Sequence, residues 1–136
     1  MTTQPTHFQQ LRQAALAQPA PQRLLFVFAA AELPDDATPE QRQRFEGGQG
    51  GALVPLACVD KGPEELASWD ALVAESRLAS PPWQVVFIAG LAGQGNRAPS
   101  AQAIDSALET MVERVRQGRF RGYMALDATG GPLTFS

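Results

Sequence analysis

The sequence contains very few of the residues from which most catalytic and metal sites are built. Its 136 residues include one cysteine, Cys58, and one histidine, His7. A single cysteine excludes an intramolecular disulfide and a zinc site made of thiolates, and a single histidine excludes a histidine-rich metal site. A serine or cysteine nucleophile would depend on His7 alone as its base. We therefore expect no metal and no cofactor, and the sequence leans against enzymatic activity without excluding it.

The sequence also lacks a long apolar run and an excess of basic residues. No stretch approaches the length of a membrane span, and the segment MTTQPTHFQQLRQAALAQ lacks the basic and then apolar order of a secretory signal. The net charge of -3 and the isoelectric point near 5.1 argue against nucleic-acid binding, which draws its affinity from a basic surface. These features predict a cytoplasmic bacterial protein that binds neither membranes nor nucleic acids.

Apolar runs predict three strands. Residues 24–31 are apolar without interruption, which is typical of a central strand covered on both sides. Residues 52–60 predict a second strand, in which Pro55 requires an edge position or a bulge because proline cannot donate to a ladder. Cys58 lies in this strand and is expected to be a buried, inert thiol. Residues 83–90 predict the third strand.

Amphipathic segments between the apolar runs predict helices. Four helix starts are expected, at Thr6, Thr38, about Pro63 and Ser100. The second forms a capping box with Gln41. The fourth opens the helix with the clearest apolar stripe, which is expected to end at Gly118.

The alternation of strand and helix, repeated three times, favours an α/β fold. We expect one domain over residues 1–136, built as a layered sandwich. Its sheet is predicted to be mixed but mostly parallel, with four or five strands flanked by helices. The N-terminal helix falls within residues 1–20, and a C-terminal β-hairpin is predicted over residues 118–136.

A glycine-rich turn follows the third strand. Residues 93–98, GQGNRA, match the loose form of a dinucleotide-binding loop, in which N–H groups at a helix start hold an anion. The spacing favours a plain connection instead, because residues 96–99 separate the glycines from the helix cap and Asp127 lies beyond the usual distance of about 20 residues. Both interpretations stay open, and the candidate ligand-binding residues in the loop are Gly93, Gly95, Asn96, Arg97 and Ser100.

Polar residues also follow the other predicted strands. Asp60 lies at the end of the second predicted strand, and Asp127, Asp35 and Asp36 follow other predicted strands. If the strands are parallel, their carboxyl ends share one edge of the sheet, where ligands bind in such folds. Asp60 and Asp127 therefore join the candidate ligand-binding residues. The alternative is structural, because aspartate and glycine are common in connections for local reasons.

Four arginines form the only basic cluster in the sequence: Arg114, Arg116, Arg119 and Arg121. This cluster predicts an interaction patch for an acidic partner. The alternative is again structural, because arginine at the end of a helix complements the helix dipole and arginine on an edge strand discourages aggregation.

The segment PQRLLFVFAAAELPDDATPEQRQRFEGGQGGALVPLACVDKGPEELASWDALVAES resembles a family of small, uncharacterised proteobacterial proteins. The likeness runs from the first helix to the final hairpin. Members often carry the label ribonucleotide reductase subunit alpha, but the large subunit of that enzyme is several times longer and uses several cysteines, for which Cys58 alone does not suffice. The resemblance implies a cytosolic bacterial family without an established activity, and it brings no functional residues.

The missing nucleophile and metal patterns predict a non-enzymatic binding or protein-interaction module. Its partner is expected to be an unknown protein or a second copy of the chain. The alternative is a small-ligand, nucleotide or phosphate-binding protein that uses the glycine-rich loop at residues 93–100. A third hypothesis is an adaptor that binds an acidic protein through the arginine cluster.

Overall fold

The structure, a computed structural model, describes residues 7–32, 38–46 and 52–133. In chain order its elements are α1 (His7–Leu16), β1 (Gln22–Glu32), α2 (Pro39–Glu46), β2 (Ala52–Lys61), a short 3₁₀ helix (Pro63–Glu65), α3 (Trp69–Ala79), β3 (Val85–Ala92), α4 (Ala101–Arg116) and β4 (Met124–Leu126). None of the helices in these ranges is long and apolar enough to cross a membrane.

The four strands form one sheet in the order β2-β1-β3-β4, and every neighbouring pair is antiparallel. The fold is therefore α/β, but the prediction of a mostly parallel sheet is wrong. That prediction rests on the alternation of strand and helix, which is typical of parallel strands joined by helical crossovers. Here β1 and β2, which α2 separates in the chain, pair antiparallel, and β1 lies between β2 and β3, which α3 separates. The alternation therefore does not produce neighbouring parallel strands.

Strand β1 divides the core into two layers. Leu24, Phe26 and Phe28 lie on one face of the sheet and pack with side chains of α1 and α3. Leu25, Val27 and Ala29 alternate with them and pack on the opposite face with α4. All six side chains are buried, which confirms the predicted central strand.

Strand β2 is an edge strand with a bulge, as Pro55 predicts. Its register with β1 runs regularly from Leu24 opposite Lys61 to Phe28 opposite Ala57, and then shifts so that Ala29 lies opposite Pro55. Proline at an edge and a bulge both limit further pairing of a strand. The regular half of β2 is therefore the half from Ala57 to Lys61.

The predicted helix starts are confirmed at two positions and corrected at a third, whereas Thr6 lies outside the described residues. The capping box is present: the Thr38 hydroxyl accepts a hydrogen bond from Gln41 N, and the Gln41 side chain accepts one from Thr38 N. Ser100 caps α4 by accepting from Ala103 N at 3.1 Å. The helix expected from Pro63 begins instead at Trp69, because Ser68 is its cap and residues 63–65 form a separate 3₁₀ turn.

The predicted C-terminal hairpin is short. Strand β4 pairs with β3 over three residues, and the chain returns beside it through a bridge between Leu126 and Pro132. Leu133 N donates to Ala125 O at 2.9 Å. Residues 134–136, which the prediction included, lie outside the described residues.

The buried ring of Phe87 provides a test of the packing on the α4 face. Its side chain is fully buried, and its ring centroid lies 4.8 Å from that of Phe120. Phe87→Ala is expected to lower the free energy of unfolding by about 3–5 kcal/mol, because it removes buried contacts and leaves a cavity. Leu78 is 92% exposed, so the control Leu78→Ala is expected to change it by less than about 0.5 kcal/mol. Urea unfolding measures both, and equal losses would contradict this packing.

Candidate functional site

The glycine-rich loop is a tight turn joined to a helix cap. Gln94 and Arg97 exchange two backbone hydrogen bonds, of 3.0 and 2.9 Å, around Gly95 and Asn96. Gly95 has a φ of 59°, which glycine adopts readily and other residues rarely do. A Cβ on Gly93 would collide with the backbone carbonyl of Arg97. The turn therefore accounts for both glycines, and an anion site at this loop stays a prediction.

The sheet does not gather the candidate ligand-binding residues along one rim. Strands β2 and β3 run in one direction and β1 and β4 in the other. Asp60 and the Gly93 loop therefore lie toward one end of the sheet, whereas Asp127 follows β4 at the other end. The eight residues of β3 separate these ends by roughly 25 Å, at about 3.3 Å a residue. Asp35 and Asp36 lie outside the described residues.

Asp60 is held in an ion-paired cluster. The guanidinium of Arg23 lies 2.7 Å from the Asp60 carboxylate and 2.6 Å from that of Glu65. The hydrogen bond from Arg23, followed by one from the backbone N–H of Gly62, lowers the pKa of Glu65. Because both carboxylates share one cation, this cluster joins β1 to the end of β2.

Asp127 organises the turn after β4. Its Oδ1 accepts hydrogen bonds from Thr129 N, Thr129 Oγ1 and Gly131 N, at 2.9, 2.6 and 2.9 Å. The bond from the Thr129 hydroxyl is the largest cause of the lowered pKa of Asp127, and the backbone N–H of Gly131 adds to it. These contacts give Asp127 a local role in forming the turn.

The structure divides the predicted arginine patch. Arg116 lines the side of α4 that faces Cys58 and pairs with Glu113 at 2.9 Å. Arg114 lies on the other side of α4, at a groove of about 410 Å³ whose walls include Tyr123 and Leu91. Positions two apart on a helix point in different directions, which explains the division. Arg119 and Arg121 are exposed in the segment after α4.

A feature that the sequence did not identify as a site is the open edge of β2. β2 is ten residues long, and no strand among those described pairs with its outer side. Residues 53–57 and 59 are half-buried, and all of them are apolar. Pro55 was the available signal, because it indicated an edge strand. An apolar edge strand presents unpaired backbone groups to other chains.

A groove lies on each side of this edge. On the α4 side a groove of about 470 Å³ is lined by Cys58, Leu108 and Val112 together with four charged residues of α4. On the α3 side a groove of about 120 Å³ is bounded by β2 and by the face of α3 that includes Leu72 and Ala79. Cys58 lines both grooves, so it marks the centre of this surface.

Cys58 is exposed, so the prediction of a buried thiol is wrong. The apolar strand that suggested burial lies at the edge of the sheet, where one side of each residue stays open. Partial burial is the largest cause of the raised pKa of the Cys58 thiol, and the negative charges of Asp60 and Asp105 add to it. The thiol is therefore accessible but mostly protonated at neutral pH, which makes it a poor nucleophile.

No family model, curated protein or solved structure matches this chain. The resemblance to the proteobacterial family therefore stays a prediction. Within the part of the chain that the structure describes, no three His, Cys, Asp or Glu side chains lie close enough together to hold a metal ion. The open edge of β2, with a groove on each side, is the surface that the geometry singles out.

Gly93→Ala tests whether the close turn requires glycine. The new Cβ meets the carbonyl of Arg97, so we expect the free energy of unfolding to fall by more than about 1 kcal/mol. Gly90→Ala is the control, because a Cβ there has no neighbour closer than 3.7 Å. It is expected to leave stability unchanged or raise it by up to about 1 kcal/mol. Urea unfolding distinguishes the two, and a tolerated Gly93→Ala would contradict the turn geometry.

The pH dependence of Cys58 alkylation tests the electrostatics of the edge. The thiolate is the reacting form, so a raised pKa moves the midpoint of the rate profile with iodoacetamide to higher pH. We expect the midpoint for the folded chain to lie above that of the same chain unfolded in urea. Asp105→Asn should move the folded midpoint down, because it removes one of the negative charges. A folded midpoint at or below the unfolded one would contradict this description.

Proposed function

We propose that this protein is a non-enzymatic interaction module of the bacterial cytoplasm, and that it binds partner proteins at the outer edge of β2. The observation that carries the proposal is the combination of an apolar edge strand with a groove on each of its sides. An extended segment of a partner pairs with β2 as a fifth strand. Its backbone hydrogen bonds supply affinity, and side chains placed alternately in the two grooves supply specificity.

The regular half of β2 is the docking segment. From Ala57 to Lys61 the register with β1 is unbroken, whereas the half before it contains the bulge and Pro55. Proline provides no N–H and a bulge twists a strand edge, so both hinder the addition of a strand. A partner therefore pairs over about five residues, from Ala57 to Lys61, a length typical of a strand.

Two ion pairs link the docking segment to neighbouring elements. Lys61 pairs with Glu75 of α3 at 2.8 Å, and Asp60 pairs with Arg23 of β1. These pairs join the end of β2 to two other elements. A strand fixed in this way pays less ordering entropy when a partner pairs with it.

A displayed library of random twelve-residue peptides tests the proposal. We expect peptides to be enriched against the full chain and to shift the backbone amide resonances of residues 57–61. An extended peptide also covers Cys58, so its alkylation by iodoacetamide is expected to slow by at least threefold at saturation. Peptides that shift only the loop at residues 93–100 or the arginine cluster would overturn the proposal, as would a library that yields no binder.

Two matched pairs of variants separate docking from general effects. Ala79→Lys places a charge in the groove on the α3 side and is expected to weaken the selected peptides, whereas Ala74→Lys, on the far side of the same helix, is not. A bulky maleimide on Cys58 should abolish binding. The control is the double variant Cys58→Ser, Ala14→Cys, in which the only thiol lies at an exposed position of α1. The same maleimide label on this variant should leave binding intact. Loss of binding in a control would show that the edge is not the docking surface.

A further inference from the structure

The two sides of the β2 edge differ in chemistry. On the α4 side, Asp105, Glu109 and Glu113 follow one another at intervals of four residues and face the groove beside Cys58. Residues four apart lie one above another on a helix, so the carboxylates form a row along that groove. Among the described residues, Arg116 is the one cation that lines it, and it is paired with Glu113. Three carboxylates against one guanidinium leave this side with an excess of negative charge.

The α3 side is mainly apolar. Its groove is lined mostly by apolar side chains, namely those of Phe28, Ala57, Val59, Leu72 and Ala79. The charged residue that lines it, Glu75, is paired with Lys61 at 2.8 Å. The side chain of Ser76 also lies there, and its hydroxyl oxygen accepts a hydrogen bond from Trp83 Nε1 at 2.8 Å. A groove of about 120 Å³ with such walls suits one aliphatic side chain.

We propose that the segment that docks on β2 is a cationic, alternating strand of a partner protein, with lysine or arginine at every second position and aliphatic residues between them. This inference rests on the proposed function and specifies its partner. Successive side chains of a strand point to opposite faces of the sheet. A strand added to β2 therefore directs one set of side chains toward the carboxylate row and the other set toward the α3 side, where one of them enters the apolar groove.

A second copy of the chain fits this edge less well. Two β2 strands paired antiparallel would place two α4 helices side by side on one face of the sheet. Each row carries three carboxylates and one guanidinium, so the contact would bring together six carboxylates and two cations. Juxtaposed like charges oppose association. A cationic strand meets the same row with complementary charge, which also speeds its encounter with the acidic chain.

Synthetic peptides test the charge and the alternation separately. The probe is acetyl-Lys-Val-Lys-Val-Lys-Val-Lys-amide, and its composition-matched control is acetyl-Lys-Lys-Val-Val-Val-Lys-Lys-amide. A third peptide, acetyl-Glu-Val-Glu-Val-Glu-Val-Glu-amide, keeps the alternation and reverses the charge. We expect the first to shift the amide resonances of residues 57–61 and to bind at least tenfold more tightly than the other two. Its Kd should rise with added salt, as an exposed electrostatic contact requires.

Variants of the full chain assign the effect to the carboxylate row. Asp105→Asn and Glu109→Gln are each expected to raise the Kd of the alternating lysine peptide roughly two- to fivefold. Asp70→Asn, at an exposed position of α3 that does not line this groove, should leave it unchanged. Equal effects of Asp70→Asn and Asp105→Asn would overturn the inference, because the peptide would then sense only the net charge.

The remaining outcomes separate this inference from the proposed function. If the acidic alternating peptide binds β2 as well as the lysine peptide, or better, edge docking stands and the cationic preference is wrong. If the block peptide binds β2 equally well, the alternation is wrong. If the free chain forms dimers in sedimentation equilibrium that protect the amides of residues 57–61, a second copy fills the edge and the inference fails. If library-selected peptides dock on β2 and the lysine peptide does not, the inference fails and the proposed function remains.

Discussion

The two-sided burial of β1 is the constraint on which the rest of the structure depends. Six consecutive side chains, residues 24–29, are buried alternately against α1 and α3 on one face and against α4 on the other. β1 also lies inside the sheet, between β2 and β3. Among the strands that the structure describes, β4 forms one edge with three residues and β2 forms the other edge with ten. The long edge of β2 therefore lies directly beside the most buried strand of the sheet.

The sequence predicts this core well because burial leaves a local signal. The apolar run of β1, the apolar stripe of α4 and the caps at Thr38 and Ser100 are all visible without a structure. Local sequence does not predict strand direction, because a strand covered on both faces is apolar in a parallel and in an antiparallel sheet alike. The alternation of strand and helix does not determine strand direction either, so the prediction of a mostly parallel sheet is wrong, and the single rim that joins Asp60 to Asp127 is wrong with it.

The candidate site, too, can be predicted from the sequence only in part. Pro55 indicated the edge strand correctly, and the four-residue spacing of Asp105, Glu109 and Glu113 can be read from the sequence. Nothing local indicates that α4 packs beside β2, so the relation between these acids and Cys58 emerges only from the fold. The glycine loop shows the converse. Its pattern is conspicuous in the sequence, and a tight turn with a close backbone approach accounts for it.

The most direct test of edge docking is the set of intermolecular nuclear Overhauser effects in the complex with the alternating lysine peptide. We expect antiparallel or parallel cross-strand contacts between peptide backbone protons and those of residues 57–61. We also expect contacts from the valine methyl groups to Leu72 and Ala79 on the α3 side, with the lysine side chains toward α4. Contacts from the peptide to the loop at residues 93–100, to α1, or to the groove beside Tyr123, with none to β2, would contradict it.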